Sequence, residues 1–77
     1  MYEQMEKFLA KHYEMAVNAE NTTTKRTFFD QAFGGLFFAI HICGDDWDEA
    51  NRYIELWTEV WYPKFTKELY GYDVEVN

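Results

Sequence analysis

The most apolar segment of the chain, residues 31–44 with the sequence QAFGGLFFAIHICG, limits what the chain can fold into. It places two adjacent glycines among three phenylalanines and ends just after the single cysteine. Its longest apolar run, residues 36–40, stops at His41, whereas a membrane-spanning helix needs about 20 predominantly apolar residues. The segment is therefore predicted to be the buried central helix of a small domain.

The composition favours a folded domain. The 77 residues allow one domain, and chains of this size bury a small share of their surface. Hydrophobic residues make up 48% of the chain and aromatic residues 21%, which argues against disorder despite the net charge of −7. A single cysteine cannot form an internal disulfide, and the N-terminus lacks the pattern of a signal peptide. We therefore expect the cytoplasm, or the host cytoplasm if the gene is viral.

Helical periodicity predicts an all-α fold, a small three-helix bundle. The helices are expected at about 2–19, 24–43 and 46–62, with a short helical turn at 64–70. Pro63 is expected to kink or break the third helix, and the alternating residues 72–77 predict a short extended tail. The third helix is expected to turn six residues inward: Trp47, Ala50, Ile54, Trp57, Trp61 and Phe65.

The negative charge is concentrated in the second half of the chain. Residues 44–77 carry three basic and nine acidic side chains, a net charge of −6. Such a surface repels nucleic-acid phosphates and anionic lipids, so direct binding to nucleic acid or membrane is not expected. A basic surface on another protein is the favoured partner. The predicted partner-binding residues are Asp45, Asp46, Asp48, Glu49, Glu55, Glu59 and Tyr62.

The sequence contains no catalytic or cofactor signature, so enzyme activity is not expected. The chain has no serine, and the position of Cys43 near a helix C-terminus is expected to raise its thiol pKa. Two histidines and one cysteine are too few for a structural zinc site. The acidic cluster at 45–49 matches only a fragment of a calcium-binding loop. Helix capping explains that cluster more simply, and a divalent-metal site there stays the third alternative.

Helix two carries a second apolar stripe formed by Gly35, Phe38 and Ile42. This stripe lies outside the half of the helix that is expected to face the other two helices. Three explanations remain open for the glycine pair at 34–35. Helix one packs across it within the monomer, or a second copy or a partner helix docks on the stripe, because an exposed apolar patch usually marks an interface. The third explanation is that the helix simply tolerates the glycines.

These patterns favour a small, acidic, non-enzymatic regulator or inhibitor that binds a basic surface of another protein. One concrete form is a phage- or mobile-element-encoded inhibitor whose carboxylates occupy a nucleic-acid-binding groove as phosphates would. The alternative is a homo-oligomeric structural or accessory helical protein, such as a dimer, whose acidic face only keeps it soluble.

Overall fold

A computed structural model describes residues 2–71 of the chain, and nearly all of them are helical. Because the last three helical segments follow one another without a break, they form one long third helix. This confirms the predicted all-α, three-helix bundle with an interrupted third helix, while the predicted tail at 72–77 lies outside the described residues. The elements are α1 (Tyr2–Asn18), α2 (Thr22–Ile42), α3 (Trp47–Leu56), a π segment (Trp57–Trp61) and α4 (Tyr62–Tyr70).

Short polar turns separate the helices. The Asn21 side chain accepts a hydrogen bond from the Thr24 backbone N–H at 2.9 Å and caps α2. Asp46 caps α3 in the same way, by accepting from the Glu49 N–H at 3.1 Å. In the turn from α2 to α3, Gly44 adopts a φ of 61°. Glycine reaches this conformation without steric cost, and it commonly ends a helix. The turn is short, so α2 and α3 lie side by side.

The first two helices run antiparallel and supply half of the core. Phe8 of α1 packs on Gly35 of α2, and Lys25 at the start of α2 donates to the Ala16 carbonyl near the end of α1 at 3.0 Å. The third helix crosses both. The buried core consists of Met5, Leu9, Ala16, Ala32, Leu36, Ala39, Tyr53, Leu56, Trp57, Trp61 and Phe65.

The π segment keeps one aromatic row of the third helix in the core. Tyr53, Trp57, Trp61 and Phe65 are all buried and are four residues apart. In a straight α-helix of 3.6 residues per turn, each such step drifts by about 40° around the axis. The wider turn, in which the Tyr62 N–H donates to the Trp57 carbonyl, reduces that drift. It directly precedes Pro63, which has no N–H and crowds the carbonyl four residues earlier.

Two residues that were expected to face inward lie outside. Trp47 is 70% exposed and Ile54 is 43% exposed, so their predicted core positions are wrong. The prediction placed these side chains with regular α-helical spacing, in which Trp47 and Ile54 share a side with Phe65. Because the π segment turns the later residues back toward Tyr53, the buried row passes through Tyr53 instead.

Alanine substitutions at the two adjacent glycines are expected to have different effects on stability. A Cβ on Gly34 would meet nothing within 4 Å, whereas a Cβ on Gly35 would lie 2.6 Å from Phe8 Cε2. Alanine in a helix is favoured over glycine by about 1 kcal/mol, so Gly34→Ala should stabilise the fold. Displacing the Phe8 ring costs about 1–3 kcal/mol, so Gly35→Ala should be neutral to destabilising by about 2 kcal/mol.

Urea unfolding followed by circular dichroism measures this difference. Equal stabilisation by the two variants would show that α1 does not approach α2 at Gly35 as described.

Candidate interaction surfaces

Three exposed carboxylates cluster at the turn from α2 to α3: Asp45, Asp46 and Asp48, here called the acidic corner. Asp46 also has a structural task, because its side chain caps α3. No lysine or arginine occurs anywhere in residues 27–51. The acidic corner therefore has no basic neighbour in its own stretch of sequence, and it presents a local negative potential to solvent.

Glu49 belongs to the core side of α3 rather than to the acidic corner. Its carboxylate accepts a hydrogen bond from the Tyr53 hydroxyl at 2.6 Å, and Tyr53 is fully buried. Burial, followed by this hydrogen bond and the charge of Glu49, raises the pKa of Tyr53 well above its ordinary value. Glu49 thus satisfies a buried hydroxyl, which leaves less of its charge for a partner.

The Cys43 thiol is held in its neutral form by its surroundings. Burial, and then the carboxylates of Glu49 and Asp46, raise the pKa of Cys43. A raised pKa was also predicted from the position of Cys43 at the end of α2. The causes in the structure are burial and the two neighbouring carboxylates. Nucleophilic catalysis requires the thiolate form of cysteine, and a raised thiol pKa leaves little thiolate at neutral pH.

The other two predicted acidic residues lie elsewhere on the third helix. Glu55 and Glu59 are exposed and line a shallow cavity of about 160 Å³, together with Tyr2 and Arg52. The Arg52 guanidinium lies 4.4 Å from the centre of the Tyr2 ring. A cation therefore lies among these two carboxylates and reduces the negative potential of this part of the predicted acidic face.

Tyr62 lies on the α2 side of the third helix. Its ring centre is 6.3 Å from that of Phe29 and 6.1 Å from that of Trp57. From the sequence, Tyr62 was predicted to lie beside Glu55 and Glu59. That prediction used the spacing of a regular α-helix. The π segment ends at the residue before Tyr62 and turns its side chain away from them.

A second exposed feature was missed from the sequence, which placed its two α2 residues on the half of that helix facing the other helices and its two α3 residues in the core. It consists of Phe33, Phe37, Trp47 and Ile54, here called the aromatic surface. Phe33 links the two helices, because its ring centre lies 6.2 Å from that of Phe37 and 5.7 Å from that of the buried Trp57. Trp47 and Ile54 are seven residues apart and share one side of α3. The sequence does contain a signal for this surface, because α2 is apolar around most of its circumference. The other two helices cannot cover an apolar area of that width.

The stripe at Gly35, Phe38 and Ile42 lies on the opposite side of α2. Gly35 receives Phe8 from the same chain, so its close approach is intramolecular. Phe38 is 64% exposed and Ile42 is 52% exposed. The role of this stripe in self-association remains a prediction.

Neither a metal site nor a membrane span emerges from residues 2–71. Within them, no three His, Cys, Asp or Glu side chains converge so that they could hold a metal ion. His12 is engaged with its own helix, since its Nδ1 lies 2.9 Å from the Phe8 carbonyl oxygen. No helix in this range is long and apolar enough to cross a membrane.

Comparisons with protein-family models, curated proteins and solved structures found no match to this chain.

The buried Tyr53–Glu49 pair predicts a specific loss of stability in alkali. The ordinary tyrosine pKa is about 10. Folding raises the pKa of Tyr53, so the neutral Tyr53 hydroxyl contributes fully to the free energy of unfolding below about pH 10. This contribution is lost as the pH rises from about 10 toward the pKa of Tyr53 in the folded protein. Above about pH 10 the wild type should lose up to about 1.4 kcal/mol per pH unit more than Tyr53→Phe. Urea unfolding of both proteins across this range measures the difference.

Parallel pH profiles for the wild type and Tyr53→Phe would contradict the buried hydroxyl. At neutral pH the same variant should lose about 1–2 kcal/mol, because the hydrogen bond to the Glu49 carboxylate is removed.

Proposed function

We propose that the chain is a non-enzymatic protein-interaction module whose aromatic surface and acidic corner together bind a basic surface of another protein. The observation that carries this proposal is the 70% exposure of Trp47, directly between exposed Asp46 and Asp48 in the chain. An exposed apolar patch usually marks an interface, and Trp47 is the most exposed member of the aromatic surface.

The arrangement matches the anatomy of protein interfaces. Their centres are enriched in aromatic residues, while polar and charged residues form the rim. Tryptophan is among the residues that most often dominate binding energy. Here Phe37 and Trp47 supply exposed rings from two helices, and the carboxylates of Asp45 and Asp48 adjoin Trp47 in the chain.

The chemistry of the surface restricts its partner. A complementary partner carries an apolar depression surrounded by lysine and arginine, because like charges across an interface are strongly disfavoured. Grooves that bind single-stranded nucleic acid have this composition, with basic side chains for phosphates and flat surfaces for bases. An inhibitor of a nucleic-acid-binding enzyme is thus the narrower form of the proposal, in which carboxylates take the place of phosphates and Trp47 that of a base.

The homo-oligomeric alternative has a different surface to support it. The stripe at Gly35, Phe38 and Ile42 lies on the far side of α2 from the aromatic surface. Both functions can therefore exist in one molecule, and they are separable by mutation.

Affinity capture from the native host tests the proposal with a matched pair of variants. Phe37 and Phe38 are equally exposed, at 64% each, but only Phe37 belongs to the aromatic surface. Proteins captured by the wild type and by Phe38→Ala should be lost with Phe37→Ala and with Trp47→Ala. Truncating a central aromatic residue commonly costs about 2 kcal/mol or more, so recovery of the partner should fall about tenfold or more.

Ionic strength provides the second criterion. Capture should weaken as salt is raised, and Asp45→Asn with Asp48→Asn should reduce its salt dependence, because these charges would meet a basic rim. Asp46 is left unchanged in this variant, since its side chain caps α3. A set of captured proteins that is identical for the wild type, Phe37→Ala and Trp47→Ala would refute the proposal.

A further inference from the structure

A cavity of about 300 Å³ opens between α1 and α2, on the side of α2 away from the aromatic surface. An apolar cavity of about 150 Å³ is large enough to bind benzene in another protein, so a phenyl ring fits here. The cavity is lined by Gln4, Met5, Phe8, Gly35 and Ala39.

An exposed phenyl ring stands beside this cavity on the same helix. Phe38 follows the lining residue Gly35 by three positions, and Ile42 follows Ala39 by three, so both project next to the opening. Phe38 is 64% exposed. The apolar cavity and the apolar Phe38 ring therefore lie side by side on one surface. Two copies of such a surface can fit together about a two-fold axis, because each supplies what the other can accommodate.

We propose that two copies of this chain pair about a two-fold axis, with Phe38 of each copy filling the α1–α2 cavity of the other. This surface is separate from the one in the proposed function, so either proposal can fail alone.

The available surface is sufficient for a weak to moderate dimer. Together α1 and α2 form a face about 30 Å long and about 20 Å wide. This approaches the roughly 800 Å² per partner of a standard interface.

Analytical ultracentrifugation from low to high micromolar concentration tests the proposal, with the matched phenylalanines as variants. The wild type and Phe37→Ala should both dimerise, whereas Phe38→Ala should raise the dimer dissociation constant about tenfold or more. Circular dichroism verifies that each variant is folded. A monomeric wild type at every concentration, or equal weakening by the two variants, would overturn the proposal.

The arrangement within the dimer is tested by an isotope-filtered nuclear Overhauser experiment. A sample mixed from unlabelled chains and chains with ¹³C-methyl methionine should show a contact between the Met5 methyl of one copy and the Phe38 ring of another. A dimer without the Met5–Phe38 contact would show that a different surface mediates association.

Discussion

The third helix can bury four aromatic rings only because it is wound more loosely in the middle than an α-helix. Tyr53, Trp57, Trp61 and Phe65 recur every four residues, a spacing that a regular α-helix would spread around its axis. The π segment at Trp57–Trp61 holds the row together, and Pro63 supplies a reason for it by lacking the donor that an α-helical turn requires. The packing of α1 and α2 against the third helix depends on this row.

The same constraint determines what remains outside. Once the buried row passes through Tyr53, Trp47 and Ile54 of α3 face solvent. Tyr62 is turned toward Phe29 and away from the carboxylates of Glu55 and Glu59. The exposure of Trp47 and Ile54 and the position of Tyr62 are therefore both consequences of one irregular turn.

Local chemistry made much of the fold predictable. Asn21, Gly44 and Asp46 are strong helix-end signals whose effect depends on a few neighbouring atoms, and the apolar spacing of α1 and α2 predicted both as helices. The rotation of the third helix was not predictable in the same way. Pro63 indicates a disturbance, but only packing against the other helices decides between a break, a kink and a wider turn. The error at Trp47 and Ile54 follows from that single undetermined step.

Solvent paramagnetic relaxation of the three tryptophan indole N–H groups, at low protein concentration, tests the rotation of the third helix most directly. A soluble gadolinium chelate relaxes groups in proportion to their access to water. The structure predicts strong relaxation of the Trp47 indole and weak relaxation of those of Trp57 and Trp61, which are 5% and 8% exposed. A protected Trp47, or equal relaxation of all three, would contradict the account and remove the basis for the aromatic surface.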